Sequence, residues 1–154
     1  MKKSILAASV CFVLFSCTVK TEVSNDNKKM LPLEGTWKLL SGTLIDKDST
    51  TVTDYTKNLS FIKIINGSHF AFFSHDLNKG KGADSNFVSG GGKYSLQDSS
   101  YTEHLEYCSD RQWEGNDFNF TITINNDTLV QKGIEKIDSL GINRMNIEKY
   151  IRLK

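Results

Sequence analysis

Phe118-Asn119-Phe120-Thr121-Ile122-Thr123-Ile124-Asn125-Asn126-Asp127-Thr128-Leu129-Val130-Gln131 alternates apolar and polar side chains, breaks at Asn126-Asp127 and resumes. A period of two marks strands half-buried on one face, and Asn and Asp tolerate the left-handed backbone of a tight reversal. With Asn126 and Asp127 as the turn, Ile124 lies opposite Leu129 and Ile122 opposite Gln131. Phe118, Phe120, Ile122, Ile124, Leu129 and Gln131 then share the inward face, while Asn119, Thr121, Thr123 and Lys132 face water.

The same arithmetic extends the pattern in both directions. With Asp98-Ser99 as a turn, Leu96 faces Tyr101 and Tyr94 faces Glu103, which gathers Tyr94, Leu96, Tyr101, Glu103, Leu105 and Tyr107 on one inward face. Asn66-Gly67 is a third tight link, expected as a type I′ turn. Around it, across Ile62, Ile64, His69, Phe70, Ala71, Phe72 and Phe73, both faces are apolar, so the inward face stays open. Eight strands result: Thr36–Ile45, Ser60–Ile65, His69–His75, Gly91–Gln97, Tyr101–Cys108, Phe118–Asn125, Thr128–Glu135 and Arg144–Leu153, with a short helical turn between Glu135 and Gly141. Consecutive hairpins make a meander, and closing it removes the exposed edges. The expectation is an all-β, antiparallel up-and-down barrel of about eight strands.

Composition agrees with one domain. The chain has 154 residues, 24% charged and 10% aromatic, with one Pro and 11 Gly, which excludes collagen-like and wholly disordered chains. Its formal charge of +1 comes from 19 Lys plus Arg against 18 Asp plus Glu, and there is no basic cluster. A nucleic-acid partner is therefore not expected.

The first residues read differently. Met1-Lys2-Lys3 is a positive head, and the uncharged run Ile5–Ser16 is too short for the roughly 20 residues of a membrane span but fits a signal peptide over residues 1–16. Its loss changes the charge from 19 against 18 to 17 against 18, a balance of −1. Leu14-Phe15-Ser16-Cys17 resembles the lipobox of bacterial lipoproteins, which implies that Cys17 is acylated and becomes the first residue of the mature chain. Multiple acylation would hold the protein at a membrane without a span. Thr18 rather than Asp follows Cys17, and the resemblance then implies the outer membrane, facing periplasm or cell surface. Cys11 leaves with the signal, so Cys108 stands alone and no intramolecular disulfide can form. Residues 17–32 read as lipidated Cys and polar tether, and 33–154 as the barrel.

Gly35-Thr36-Trp37 opens the first strand and Tyr150-Ile151-Arg152 ends the last. The first resembles the Gly-x-Trp opening of lipocalins, in which the Trp plugs the closed end of the barrel and an Arg of the final strand packs across it. Antiparallel closure makes Arg152 the natural partner of Trp37, with Arg144 second. Lys63-Ile64-Ile65, His69-Phe70, Gly90-Gly91-Gly92-Lys93-Tyr94 and Tyr101-Thr102-Glu103 with Tyr107 resemble the pattern of uncharacterised lipocalin-like lipoproteins of Gram-negative bacteria. That resemblance covers about Leu33 to Lys154 and implies a cup holding a small, largely apolar molecule. Thr53-Asp54-Tyr55 matches a lipocalin string but falls between the first two expected strands, and is read as coincidence.

Catalytic and metal chemistry find little support. Along one strand His69 and His75 lie about 20 Å apart, and His104 and Cys108 about 13 Å, too far to share an ion or a proton. Glu103 and Glu106 point to opposite faces and cannot act as an acid and base pair. No helix follows Gly90-Gly91-Gly92, so strand bending at the rim is a better reading than a phosphate cradle. Neither an enzyme, a cofactor nor a metal is expected.

Glu103 is the informative residue, since an inward carboxylate must be paired or wetted. Tyr94, Tyr107, Gln131 and Arg152, whose parity matches Tyr150 and Glu148, are its candidate partners. The expected function is non-catalytic binding of a small hydrophobic or amphipathic molecule. Phe118, Phe120, Ile122, Tyr94 and Tyr107 would form the wall, and Glu103, Gln131, Tyr150 and Arg152 would supply polarity. The alternative is an interaction or inhibitor module with a filled interior, binding a protein partner through the connections Asp46–Asn58 and Asp76–Ser89.

Overall fold

The computed structural model describes residues 31–81 and 85–154. Among these residues nine strands run in chain order: β1 Gly35–Asp46, β2 Ser49–Asp54, β3 Leu59–Ile65, β4 His69–Asp76, β5 Phe87–Gln97, β6 Ser100–Cys108, β7 Asn116–Asn125, β8 Thr128–Ile137 and β9 Ile142–Leu153. All neighbours from β3 to β9 pair antiparallel, and β1 pairs both β3 and β9, which closes an eight-stranded barrel of lipocalin-like form. Among the described residues no helix is long and apolar enough to cross a membrane.

The ninth strand corrects the expected count. β2 folds back on the second half of β1, from Ser41↔Asp54 to Asp46↔Ser49, through a turn in which Lys47 has φ 52°. Ser49-Thr50-Thr51-Val52-Thr53 is rich in β-branched side chains but almost wholly exposed, so it carries no apolar period. The stretch expected as a long connection is thus half hairpin.

Two hairpins fold as the arithmetic requires. Ile124 pairs with Leu129 and Ile122 with Gln131, while Leu96 pairs with Tyr101 and Tyr94 with Glu103. Asn126 and Asp98 take left-handed backbone, φ 52° and 58°. The Asn66-Gly67 link differs: neither residue has a positive φ, so it is not a type I′ turn. Asn66 Oδ1 instead accepts the backbone N–H groups of Ser68 and His69, at 2.9 and 2.8 Å, and this Asx cap reverses the chain without left-handed backbone. The expected helical turn is a 3-10 turn over Asp138–Leu140, ended by Gly141 at φ 66°.

These three tight links cluster at one end of the barrel, and the longer connections gather at the other. The tight end is closed. Trp37 is fully buried there with Leu129 and Tyr150, and its Nε1–H donates to Leu33 O at 2.8 Å. The Arg152 guanidinium lies over the Trp37 ring at 4.1 Å and donates to the carbonyls of Glu34 and Pro32, which straps the incoming chain across the plug. Gly35 sits at φ 138°, and a Cβ on it would collide with Arg152 Nη1. Glycine at this position therefore makes room for the guanidinium and permits the backbone.

A bulge sets the second irregularity. Gly91 pairs with Tyr107 but Gly92 pairs with Leu105, so Glu106 is an extra residue on β6. Any side chain on Gly92 would run into the His104 carbonyl. The glycine run thus permits the close strand approach and bend expected of it. The bulge also inverts parity beyond Leu105: Tyr107 is 67% exposed on the outer surface rather than inward.

Candidate functional site

Inside the barrel, above the plug, lies a cavity of about 390 Å³. This is the lower end of the range for small-molecule sites. Its floor is polar. Lys63 is 2% exposed, and its Nζ donates to Glu103 Oε1 at 2.7 Å and to Gln131 Oε1 at 3.1 Å, with Glu148 Oε2 at 3.8 Å. Tyr150 Oη donates to the same Glu148 oxygen at 2.7 Å.

The electrostatics follow from burial and pairing. For Lys63, burial disfavours the charged form, but the carboxylates of Glu103 and Glu148 outweigh it and the ammonium is held above its ordinary value. For Glu103, burial raises the carboxyl and outweighs the opposing pull of Lys63. Burial and the charge of Glu103 likewise push the Tyr101 phenol up. The Tyr101 hydroxyl is buried beside Glu103 without reaching hydrogen-bond geometry.

Aromatic rings form the walls. Phe61 and Phe72 stack at 5.7 Å, Tyr55 meets Phe61 edge-on at 5.8 Å, and Trp113 lies 5.8 Å from Phe118 across the chamber's upper rim. Trp113 comes from a 3-10 turn, Arg111–Trp113, between β6 and β7, where the Asp110 side chain accepts Gln112 N–H. At the mouth Arg144 Nε donates to Glu135 Oε2 at 2.8 Å, its guanidinium lies 5.4 Å from the Trp113 ring, and Asn146 donates to Glu135 Oε1.

The expected site residues divide among four places. Glu103, Phe118, Phe120 and Gln131 line the cavity. Ile122 and Tyr150 are buried in the packed core and do not line it. Tyr94 is half-buried against Tyr101 with its hydroxyl donating to Asn66 O, near the closed end. Tyr107 and Arg152 are outside, the first through the Glu106 bulge and the second because it caps Trp37. Cys17 lies outside the described residues.

Sequence reasoning missed Lys63, the actual partner of Glu103. It also missed Trp113, Tyr55, Phe61, Phe72 and the Glu135–Arg144 pair. β3 and β4 put Phe61, Lys63, Ile65, Phe70 and Phe72 inward and leave Ile64 and Phe73 exposed. The need of an inward Glu for a cation was the one signal that could have led to Lys63.

No protein-family model matches the chain, and no curated protein matches it.

Outside the cavity, each histidine is engaged locally. His104 Nδ1 lies 2.8 Å from Asp117 Oδ1, His69 Nδ1 2.7 Å from Ser68 Oγ, and His75 Nδ1 2.7 Å from Asp76 O. Among the described residues no three His, Cys, Asp or Glu side chains converge on a point. Cys108 is half-buried at the cavity edge, and burial pushes its thiol up, away from the reactive thiolate. Glu103 and Glu106 are separated as expected, one buried and one exposed.

Proposed function

We propose that the chain is a membrane-anchored, lipocalin-like binding protein that takes a small amphipathic molecule into its barrel and does no chemistry on it. The chamber of about 390 Å³ between an aromatic wall and a hydrogen-bonding floor carries this reading. A body of apolar surface is withdrawn from water by the rings, while a polar group is oriented by the floor. The lipobox-like Cys17 supports attachment through acyl chains, at the outer membrane, with residues 18–32 as the tether. A module that acts through its loops alone has no use for such a chamber, so the interior favours the cup over the protein-binding alternative.

The neutral fluorophore N-phenyl-1-naphthylamine tests the cup. Its emission rises when it binds to residues 31–154 with micromolar affinity. Leu105 lines the chamber and is 5% exposed. A Leu105→Trp variant fills the space and weakens binding about tenfold or more, with the barrel still folded by circular dichroism. Equal binding by both proteins would place the dye elsewhere and contradict the proposal.

A further inference from the structure

We infer that the ligand is cationic, an amine or ammonium on an apolar or aromatic body, with its charge seated against Glu148. This rests on the binding-cup reading and adds the sign of the ligand's charge to it.

The charges at the floor do not balance. One ammonium, Lys63, faces two carboxylates, Glu103 at 2.7 Å and Glu148 at 3.8 Å. The close pair neutralises itself, and Glu148 remains in excess, its side chain only 15% exposed. At the mouth Arg144 and Glu135 cancel each other at 2.8 Å. An anion entering the chamber would therefore meet two cations already engaged and a carboxylate that repels it. A neutral ligand would cover Glu148 and remove its remaining water without compensating its charge.

The free hydrogen-bonding capacity has the same sense. Tyr150 Oη and Lys63 Nζ both approach Oε2 of Glu148, so Oε1 is the oxygen left to accept from a ligand N–H. The Lys63 ammonium donates to Glu103 and Gln131 and lies 3.8 Å from Glu148, so its charge is already turned toward carboxylates of the floor. Above the floor, the rings of Tyr55, Phe61, Phe72 and Trp113 line the chamber, and aromatic surface of this kind attracts a cation and its alkyl or aryl substituents. A chamber whose lining carboxylates, Glu103, Asp110, Glu135 and Glu148, outnumber its cations, Lys63 and Arg144, and which is rimmed by rings and offers an acceptor, is complementary to an organic cation.

Isothermal titration of the full chain in lipid nanodiscs, with empty nanodiscs subtracted, tests this with one ring system in three charge states. The probes are tryptamine, indole-3-ethanol and indole-3-propionate. The amine binds at least about tenfold tighter than the alcohol, and the carboxylate binds weakest. A Glu148→Gln variant, which keeps an acceptor for Tyr150, removes the amine's advantage over the alcohol. An amine that binds no better than the alcohol, including the case in which none of the three binds, overturns the cationic assignment. The naphthylamine dye reports separately whether the cup itself stands, and the comparison within the unmodified protein holds even if the variant fails to fold.

Discussion

Replacing Lys63 by methionine destabilises the barrel by about 3–5 kcal/mol, the range for removing one partner of a buried ion pair. The loss comes from what is left behind. Glu103, 6% exposed, would face Glu148 with no cation between them, and Gln131 would lose its donor. Removing both charges, as in Lys63→Met with Glu103→Leu, restores part of the lost stability, because no buried carboxylate is left unpaired at position 103, although Gln131 still lacks its donor. Urea unfolding of the two single variants and the double variant gives the coupling directly. A double variant no more stable than Lys63→Met would show that the pair does not act as a unit.

The penalty of Lys63→Met also depends on pH with a definite sign. Burial already holds the Glu103 carboxyl above its ordinary value, and without Lys63 the largest opposing pull is gone. A carboxyl raised in the folded state binds its proton more tightly there than in the unfolded chain, so stability falls as pH rises through the carboxylate range. The variant therefore regains stability on acidification toward the ordinary carboxylate value.

Trp37→Ala costs about 3–5 kcal/mol, as expected for the largest fully buried side chain of a core. It removes the plug, deprives Leu33 O of its donor and leaves Arg152 without the ring beneath it. Thermal unfolding measures the loss. Arg152→Lys provides the graded comparison, since an ammonium cannot stack flat on the indole while donating to both Pro32 and Glu34. Its loss is about 1–2 kcal/mol, and in the Trp37→Ala background it shrinks because the stacking partner is gone.

What the sequence disclosed follows from where its signals are local. Strict alternation around Asn126-Asp127 and Asp98-Ser99 determined register, because a two-residue turn leaves no freedom in which residues oppose. Trp37 and Arg152 could be matched because closure brings the ends of the barrel strands together. The parity of Phe61-Ile62-Lys63-Ile64-Ile65 was illegible for a physical reason: its outward face carries Ile62 and Ile64, as apolar as the inward one, so the pattern weighs against an inward Lys. Tyr107 was misplaced because one extra residue, Glu106, reverses the face of everything after it, and only the neighbouring glycines hint at a bulge. Trp113 reaches the chamber from a loop, where no period applies. The candidate site was thus readable where it stands on regular strands, and hidden at the bulge, in the loop and on the two-faced strand.

Native mass spectrometry of the full chain released gently from the membranes of its own host tests the binding cup most directly. The predicted spectrum shows a chain beginning at an acylated Cys17 and carrying one non-covalent small molecule, which solvent extraction releases and identifies as an organic cation. A barrel that arrives empty from every preparation, on a chain without acyl groups, would contradict both the cup and its anchor.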